Sequence, residues 1–244
     1  MTNVDLYINN IQKLIQTVSS SQSDNIEQAA QALATSILSD NWAYAFGTGH
    51  SHMLAEEVFY RACGMVKFCP ILCTELMLHE SAIKSSQMER LSGYAKVILN
   101  DYPIKKGDVL FVFSNSGRNA VPVEMTIEAK KIGLTVIAIT NINHSSISKS
   151  RHESGKLLFE VADIVIDNCG EEGDSCIATK HQKVAPTSTV IGSMIINAIV
   201  ARSADIIEQS NSDKFEFYSS SNTDDGEVLN QKYIDKYKGV IKGL

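Results

Sequence analysis

The sequence predicts an α/β protein, a three-layer sandwich with a parallel sheet between two layers of helices. Three observations predict it. Runs at residues 42–46, 66–74, 107–113, 134–140 and 162–167 are largely apolar without strict alternation, the pattern of strands covered on both faces. Helical segments separate most of these runs, as β–α–β crossovers require. Three connections are rich in glycine and hydroxyl side chains, where tight turns and ligand loops fall in such sheets.

The elements follow in order. Leu6, Ile8, Ile11, Leu14, Ile15 and Val18 have helical spacing, so a helix is expected over residues 4–18. SSSQSD breaks it, and Asp24 can cap a second helix ending near Leu38. WAYAF reads as a buried strand, GTGHS as the turn after it, and residues 52–63 as a helix. Residues 66–74 read as a strand despite Pro70, and 107–113 as a stronger one. The helix at 120–132 ends at Gly133, a C-cap signal. Strands at 134–140 and 162–167 flank a short strand or connector at 156–160, and a long helix covers 186–209. From Ser210 the chain is polar and turn-rich, and EVLNQKYIDKYKGVIKGL predicts a last helix, solvated or at an interface. The expected organisation is N-terminal helices over residues 1–40, an α/β domain over 41–209 and a C-terminal extension over 210–244.

Composition narrows the function. The 244 residues are 44% hydrophobic and 20% charged, with net charge −6. That balance speaks against bulk binding to nucleic acid or an anionic membrane. MTNVDLYINN lacks the pattern of a secretion leader, and no run of about 18 apolar residues is present. A cytoplasmic protein that spans no membrane is therefore expected. Five cysteines, Cys63, Cys69, Cys73, Cys169 and Cys176, then read as reduced thiols. Cys69 and Cys73, in FCPILC, read as buried hydrophobes more readily than as metal ligands. Metal dependence stays open, and no organic cofactor is expected.

The connections carry the functional signal. The first is GTGHSH, with Gly49 and Ser51; the second is Ser114, Asn115, Ser116, Gly117, Arg118 and Asn119; the third is Pro186, Thr187, Ser188 and Thr189. Helix N-termini offer free N–H groups and partial positive charge, and neighbouring hydroxyls can complete a shell around a phosphate. One such loop reads more readily as a tight turn or N-cap, whereas three at matching places favour a small phosphorylated ligand. A dinucleotide is the rival. The sixth position of G-x-G-x-x-G is His52 here, which would crowd a pyrophosphate, although Glu75 lies near where a ribose-binding acid is expected.

GTGHS after the first strand, SNSG after a later strand and the Ser/Thr-led long helix resemble the sugar isomerase (SIS) domain family over roughly residues 30–208. The single-domain layout is similar to phosphoheptose isomerase and N-acetylmuramic acid 6-phosphate etherase, and closest to stand-alone phosphosugar-isomerase-like members. The resemblance implies a five-stranded parallel sheet of flavodoxin-like or Rossmann-like type. It also implies a homodimer or homotetramer with shared sites, and a phosphorylated sugar as ligand. Phosphate would be held by Ser114, Ser116 and Thr189 or its neighbours, with Ser51 near the sugar.

Aldose–ketose isomerisation needs a base to move a proton between C1 and C2, and an acid to open the ring. Glu75 is the first candidate base, resembling in position the catalytic glutamate of the isomerase domain of glucosamine-6-phosphate synthase. Partial desolvation would raise its pKa. His79 lies four residues on and would share a helical face with Glu75. Glu57 and Glu56 are rivals, Glu57 being the better placed of the two. His181 resembles, loosely, a catalytic histidine of phosphoheptose isomerase, and Lys183 could neutralise phosphate. Each of these also has a bland reading as a loop or solvated residue. The expected activity is sugar-phosphate isomerisation; the alternatives are an etherase-like lyase and a phosphosugar sensor without catalysis.

Overall fold

The computed structural model describes residues 1–244, the side chain of Asp224 apart. Two long helices come first, α1 (Asn3–Ser21) and α2 (Ser23–Leu38). The start of α1 is fixed by a reciprocal capping box between Thr2 and Asp5. Then follow β1 (Ala43–Gly47), α3 (His52–Glu57), β2 (Phe68–Ile71), α4 (Ala82–Met88), α5 (Tyr94–Leu99) and β3 (Val109–Phe113). Next come α6 (Ala120–Ile132), β4 (Thr135–Thr140), the short turns α7 (Ile142–Ser145) and α8 (Leu158–Val161), and β5 (Ile164–Asp167). A hairpin, β6 (Ser175–Ala178) and β7 (Lys183–Pro186), precedes α9 (Ser188–Gln209) and α10 (Asp224–Tyr237).

Strands β1 to β5 form one parallel sheet in the order β2-β1-β3-β4-β5. The order reverses between β1 and β3, and such a switch point opens a crevice at the strands' carboxyl ends. Gly47 pairs with Phe113, so the GTGHS turn and the SNSG loop leave the sheet side by side.

Successive strand residues point to opposite faces, and both faces are buried. Ala43, Ala45, Phe111, Phe113, Ile137 and Ile139 pack with α2, α3 and α9. Tyr44, Phe46, Leu110, Val112, Val136 and Ala138 pack with α5 and α6. The apolar runs are continuous for this reason.

Several parts differ from the sequence reading: the helix expected over 52–63 ends at Glu57, and Pro186, expected to open the long helix, ends β7. The strand expected over 66–74 is only four residues long, because the chain turns at Thr74–Leu76. The connector at 156–160 closes into the single turn α8. The C-terminal extension is not simply solvated: Tyr218, Tyr233, Tyr237 and Ile241 are buried against the α5/α6 side of the sheet. Four scattered apolar residues in a polar tail carry little periodic signal, so only the fold reveals that burial. Helix α9 is long and apolar enough to cross a membrane by length and composition. Here Ile191, Ile195, Ile196, Ile199 and Ile207 are core residues against α2 and the sheet.

Candidate functional site

A pocket opens at the switch point. His50 and Ser51 enter it from the turn after β1, Ser114 and Asn115 from the loop after β3, and Ser188 and Thr189 from the start of α9. Asn168, after β5, completes its polar lining. Leu54, Phe113 and Ile139 form its floor. Three loops far apart in sequence thus converge on one space lined by hydroxyls and amides.

Close packing sets the turn after β1. A Cβ on Gly47 would stand 2.5 Å from the backbone carbon and oxygen of Ser51, so the chain folds back onto its own strand only because that position is glycine. Gly49 has φ +56, a left-handed backbone conformation that favours glycine. The buried His52 ring meets the Gly49 carbonyl through Nδ1 and lies edge-on to His79, 6.3 Å between centroids. Thr48 donates its hydroxyl to Glu89 at 2.9 Å.

The loop after β3 is held from below. The Gly117 amide donates to Ser114 Oγ at 3.2 Å, and Ser145 Oγ donates to the Ser116 carbonyl at 2.9 Å. Gly117 has φ +57, and a Cβ there would press on Leu158, Ser145 and Thr140. Asn168 Nδ2 donates to Asn115 Oδ1 at 2.8 Å, joining the β3 and β5 loops. Asn119 sits at the start of α6 and accepts from Arg151 at 2.7 Å.

At α9 the anion position is filled by the protein itself. Asp174 Oδ1 accepts from the Thr187 amide at 3.1 Å, the Thr187 hydroxyl at 3.3 Å and the Ser188 amide at 2.8 Å. Its Oδ2 accepts from Ser188 Oγ at 2.5 Å. The carboxylate thus takes two of the backbone donors at the helix start.

The predicted residues divide into two groups. Ser51, Ser114, Asn115, Ser188 and Thr189 line the pocket, while Gly49, Ser116, Gly117, Asn119 and Thr187 shape the loops that deliver them. The acid–base candidates stand apart. Glu57 Oε2 pairs with Arg61 at 2.8 Å and its Oε1 accepts from Asn197 at 2.8 Å, so it bridges α3 and α9. His181 lies on the exposed turn between β6 and β7. Lys183 points to Glu171, 2.5 Å away, and that carboxylate raises its pKa.

Glu75 is on the turn that follows β2, beside the turn that follows β1 in the neighbouring strand. The expected shared helical face with His79 does not form, because Thr74–Leu76 is a single 3-10 turn and Met77 is extended. Nor is its pKa raised. Hydrogen bonds from its own backbone amide and from Cys73 Sγ hold it below the ordinary value, outweighing slight burial. Cys73 also meets the Tyr94 hydroxyl at 2.9 Å, and Cys69 is buried, its thiol pushed up to about 11 by desolvation. Among the described residues, no three His, Cys, Asp or Glu side chains gather as a metal site.

Sequence reasoning missed Asn168, Glu89, Asp174 and Arg151. Each is isolated in a segment without a motif. Only GD at 173–174, shortly before the Ser/Thr-led helix, offered a hint, as an acidic residue that could fold back as a cap.

A doubly wound sheet with donor-rich loops at its switch point is the architecture of a small-ligand-binding α/β protein. Residues 6–141 match the SIS domain. The chain is 41% identical over 244 residues to a UPF0309 protein of Oceanobacillus iheyensis, covering 99% of each. It is 42% identical over 247 residues to a UPF0309 protein of Caldanaerobacter subterraneus, covering 99% of this chain and 100% of that one. The chain belongs to the SIS domain family. Its fold is shared with the phosphoheptose isomerase of Francisella tularensis, with TM-score 0.56 at 17% identity over 86% of this chain and 100% of that one. It is also shared with the phosphoheptose isomerase of Neisseria gonorrhoeae, with TM-score 0.53 at 17% identity over 85% of this chain and 97% of that one. The sugar isomerase domain of a Sphaerobacter thermophilus transcription factor gives TM-score 0.50 at 16% identity, over 86% of this chain and 97% of that one.

Proposed function

We propose that this protein binds a phosphorylated sugar in the switch-point pocket and interconverts its aldose and ketose forms. The observation that carries the reading is the meeting of Ser51, Ser114, Asn115, Ser188 and Thr189 in one space. Neutral hydroxyl and amide donors suit a small phosphate, which shares its charge among several short hydrogen bonds. The protein acts in the cytoplasm, as a homodimer or homotetramer. Exposed Val4, Leu6, Ile8 and Ile15 on α1 give an apolar surface that a second subunit would cover.

In this reading Glu75 is the base. Its place on the turn after β2, a strand that pairs with β1, supports this role. Deprotonated at neutral pH, it would take the proton at C2 of an open-chain sugar and return it at C1. Proton abstraction next to a carbonyl also opens the etherase-like lyase reaction, whose next step is loss of a substituent. A sensor without catalysis is favoured by a different observation: neither Glu57 nor Glu75 is among the residues that line the pocket.

One experiment separates these. Sugar phosphates, each beside its unphosphorylated sugar, are screened by thermal shift, since a ligand of the folded state raises the melting temperature by mass action. Hits are then incubated in D2O and followed by NMR. Deuterium at C2 or C1 that disappears in Glu75→Gln supports the isomerase. Binding without exchange leaves a sensor. No stabilisation by any phosphosugar, with stabilisation by a dinucleotide, would sink the proposal.

A further inference from the structure

Three arginines gather at the start of α6. The Arg151 side chain donates to Asn119 Oδ1, and its backbone amide donates to the Arg118 carbonyl at 2.8 Å. Arg118 Nε donates to the Lys149 carbonyl at 3.0 Å, which fixes the second guanidinium at the same corner. The Glu89 carbonyl accepts from the Val121 amide at 3.1 Å, so Arg90 follows directly beside the first turn of the helix.

This positive charge lacks an ion-pair partner. None of Arg90, Arg118 and Arg151 forms a salt bridge among the described residues. The nearby Glu89 carboxylate acts on Arg151 without forming a salt bridge and accepts the Thr48 hydroxyl. Desolvation and then Arg118 and Arg90 lower the Arg151 pKa, and the Glu89 carboxylate offsets them only in part. Crowding like charges is unfavourable unless an anion offsets it. The whole protein carries −6, so the patch is a local concentration against the general field.

The patch adjoins the pocket by two routes. Loop 114–119 places Ser114 and Asn115 in the pocket and Asn119 on Arg151. Thr48, bonded to Glu89, is two residues from His50, so their Cα atoms are no more than about 7.6 Å apart.

From this juxtaposition we infer that the ligand is doubly anionic: a sugar phosphate bearing a second phosphate or a carboxylate, which Arg90, Arg118 and Arg151 receive. The guanidinium fork matches either group. The inference rests on the phosphosugar reading and narrows its substrate class.

Calorimetric titration at constant ionic strength with glucose 6-phosphate, 6-phosphogluconate and fructose 1,6-bisphosphate tests it. The expected result is at least tenfold tighter binding of 6-phosphogluconate or the bisphosphate than of glucose 6-phosphate. Whichever of the two binds tighter names the second group. Arg90→Gln and Arg118→Gln should each shrink that ratio several-fold while leaving glucose 6-phosphate binding nearly unchanged. Lys96→Gln removes an exposed charge from α5 and should leave the ratio intact. Arg90 makes no side-chain hydrogen bond among the described residues, so its variant retains the fold. Equal affinity for all three ligands, or a ratio unmoved by both arginine variants, overturns the inference and leaves the phosphosugar reading standing. No binding of either doubly anionic ligand also overturns the inference, and the thermal-shift panel then decides the phosphosugar reading.

Discussion

The carboxylate of Asp174 grips Ser188 twice, through the amide at 2.8 Å and the hydroxyl at 2.5 Å. An acidic residue from the loop before β6 therefore occupies the anion position at the start of the longest helix. Ser188 also lines the pocket, so the capping network and the ligand cradle share a side chain.

Asp174→Ala should cost about 1 kcal/mol of stability, as for loss of a helix N-cap. Part of that loss should return in concentrated phosphate, which can take the vacated donors. Urea unfolding with and without phosphate checks both points. A variant equally destabilised in both buffers would show that the carboxylate is a cap alone.

Gly47→Ala should be disruptive out of proportion to one methyl group. Its Cβ would meet Ser51 backbone atoms at 2.5 Å, and backbone yields less readily than a flexible side chain. A loss of about 1–3 kcal/mol is expected, with sugar-phosphate binding weakened because Ser51 is displaced. Melting temperature and calorimetry on the variant read the two effects. Gly192→Ala makes a contrast, since its Cβ would meet the end of the Leu54 side chain, which can rotate.

Asp40 should contribute to the acid limb of stability. Hydrogen bonds and charge from Lys67 and Lys214 lower its pKa from 3.8 to about 2. A carboxylate whose folded pKa is depressed gives stability that is present above its unfolded value and lost as pH falls through the folded one. The Lys67 ammonium is buried against Trp42 and pairs with Asp40 at 2.6 Å. Asp40→Asn should therefore be less stable than the parent above about pH 4, and the gap should close as pH falls from 3.8 toward about 2. Urea midpoints across pH 2–6 measure it. A gap independent of pH would assign the loss to packing.

The two glutamates should separate by function. Glu57→Gln weakens an ion pair with Arg61 that is partly exposed, so stability should change by less than about 1 kcal/mol and turnover should persist. Glu75→Gln should abolish proton exchange while leaving sugar-phosphate affinity near the parent's. The lowered pKa of Glu75 keeps the base ionised to below pH 4.5, so the acid limb of kcat/KM assigned to it should lie below that value. An acid limb near neutrality would point to another base.

The layers and the loops are legible in the sequence. Apolar runs without strict alternation appear because strands such as β3 and β4 are buried on both faces, and GTGHS, SNSG and PTST are contiguous, so local chemistry is enough to mark them. It also marked Gly133 as a helix end, where φ is +105. Tertiary structure alone decided which side chains meet. Glu57 is spent between α3 and α9, Lys183 on Glu171, and His181 on a hairpin turn whose short, half-exposed strands carry little periodic signal. Asn168, Asp174 and the arginines at α6 reach their places through sheet order and loop closure. Those contacts link residues 12 or more positions apart, and no local spacing records them.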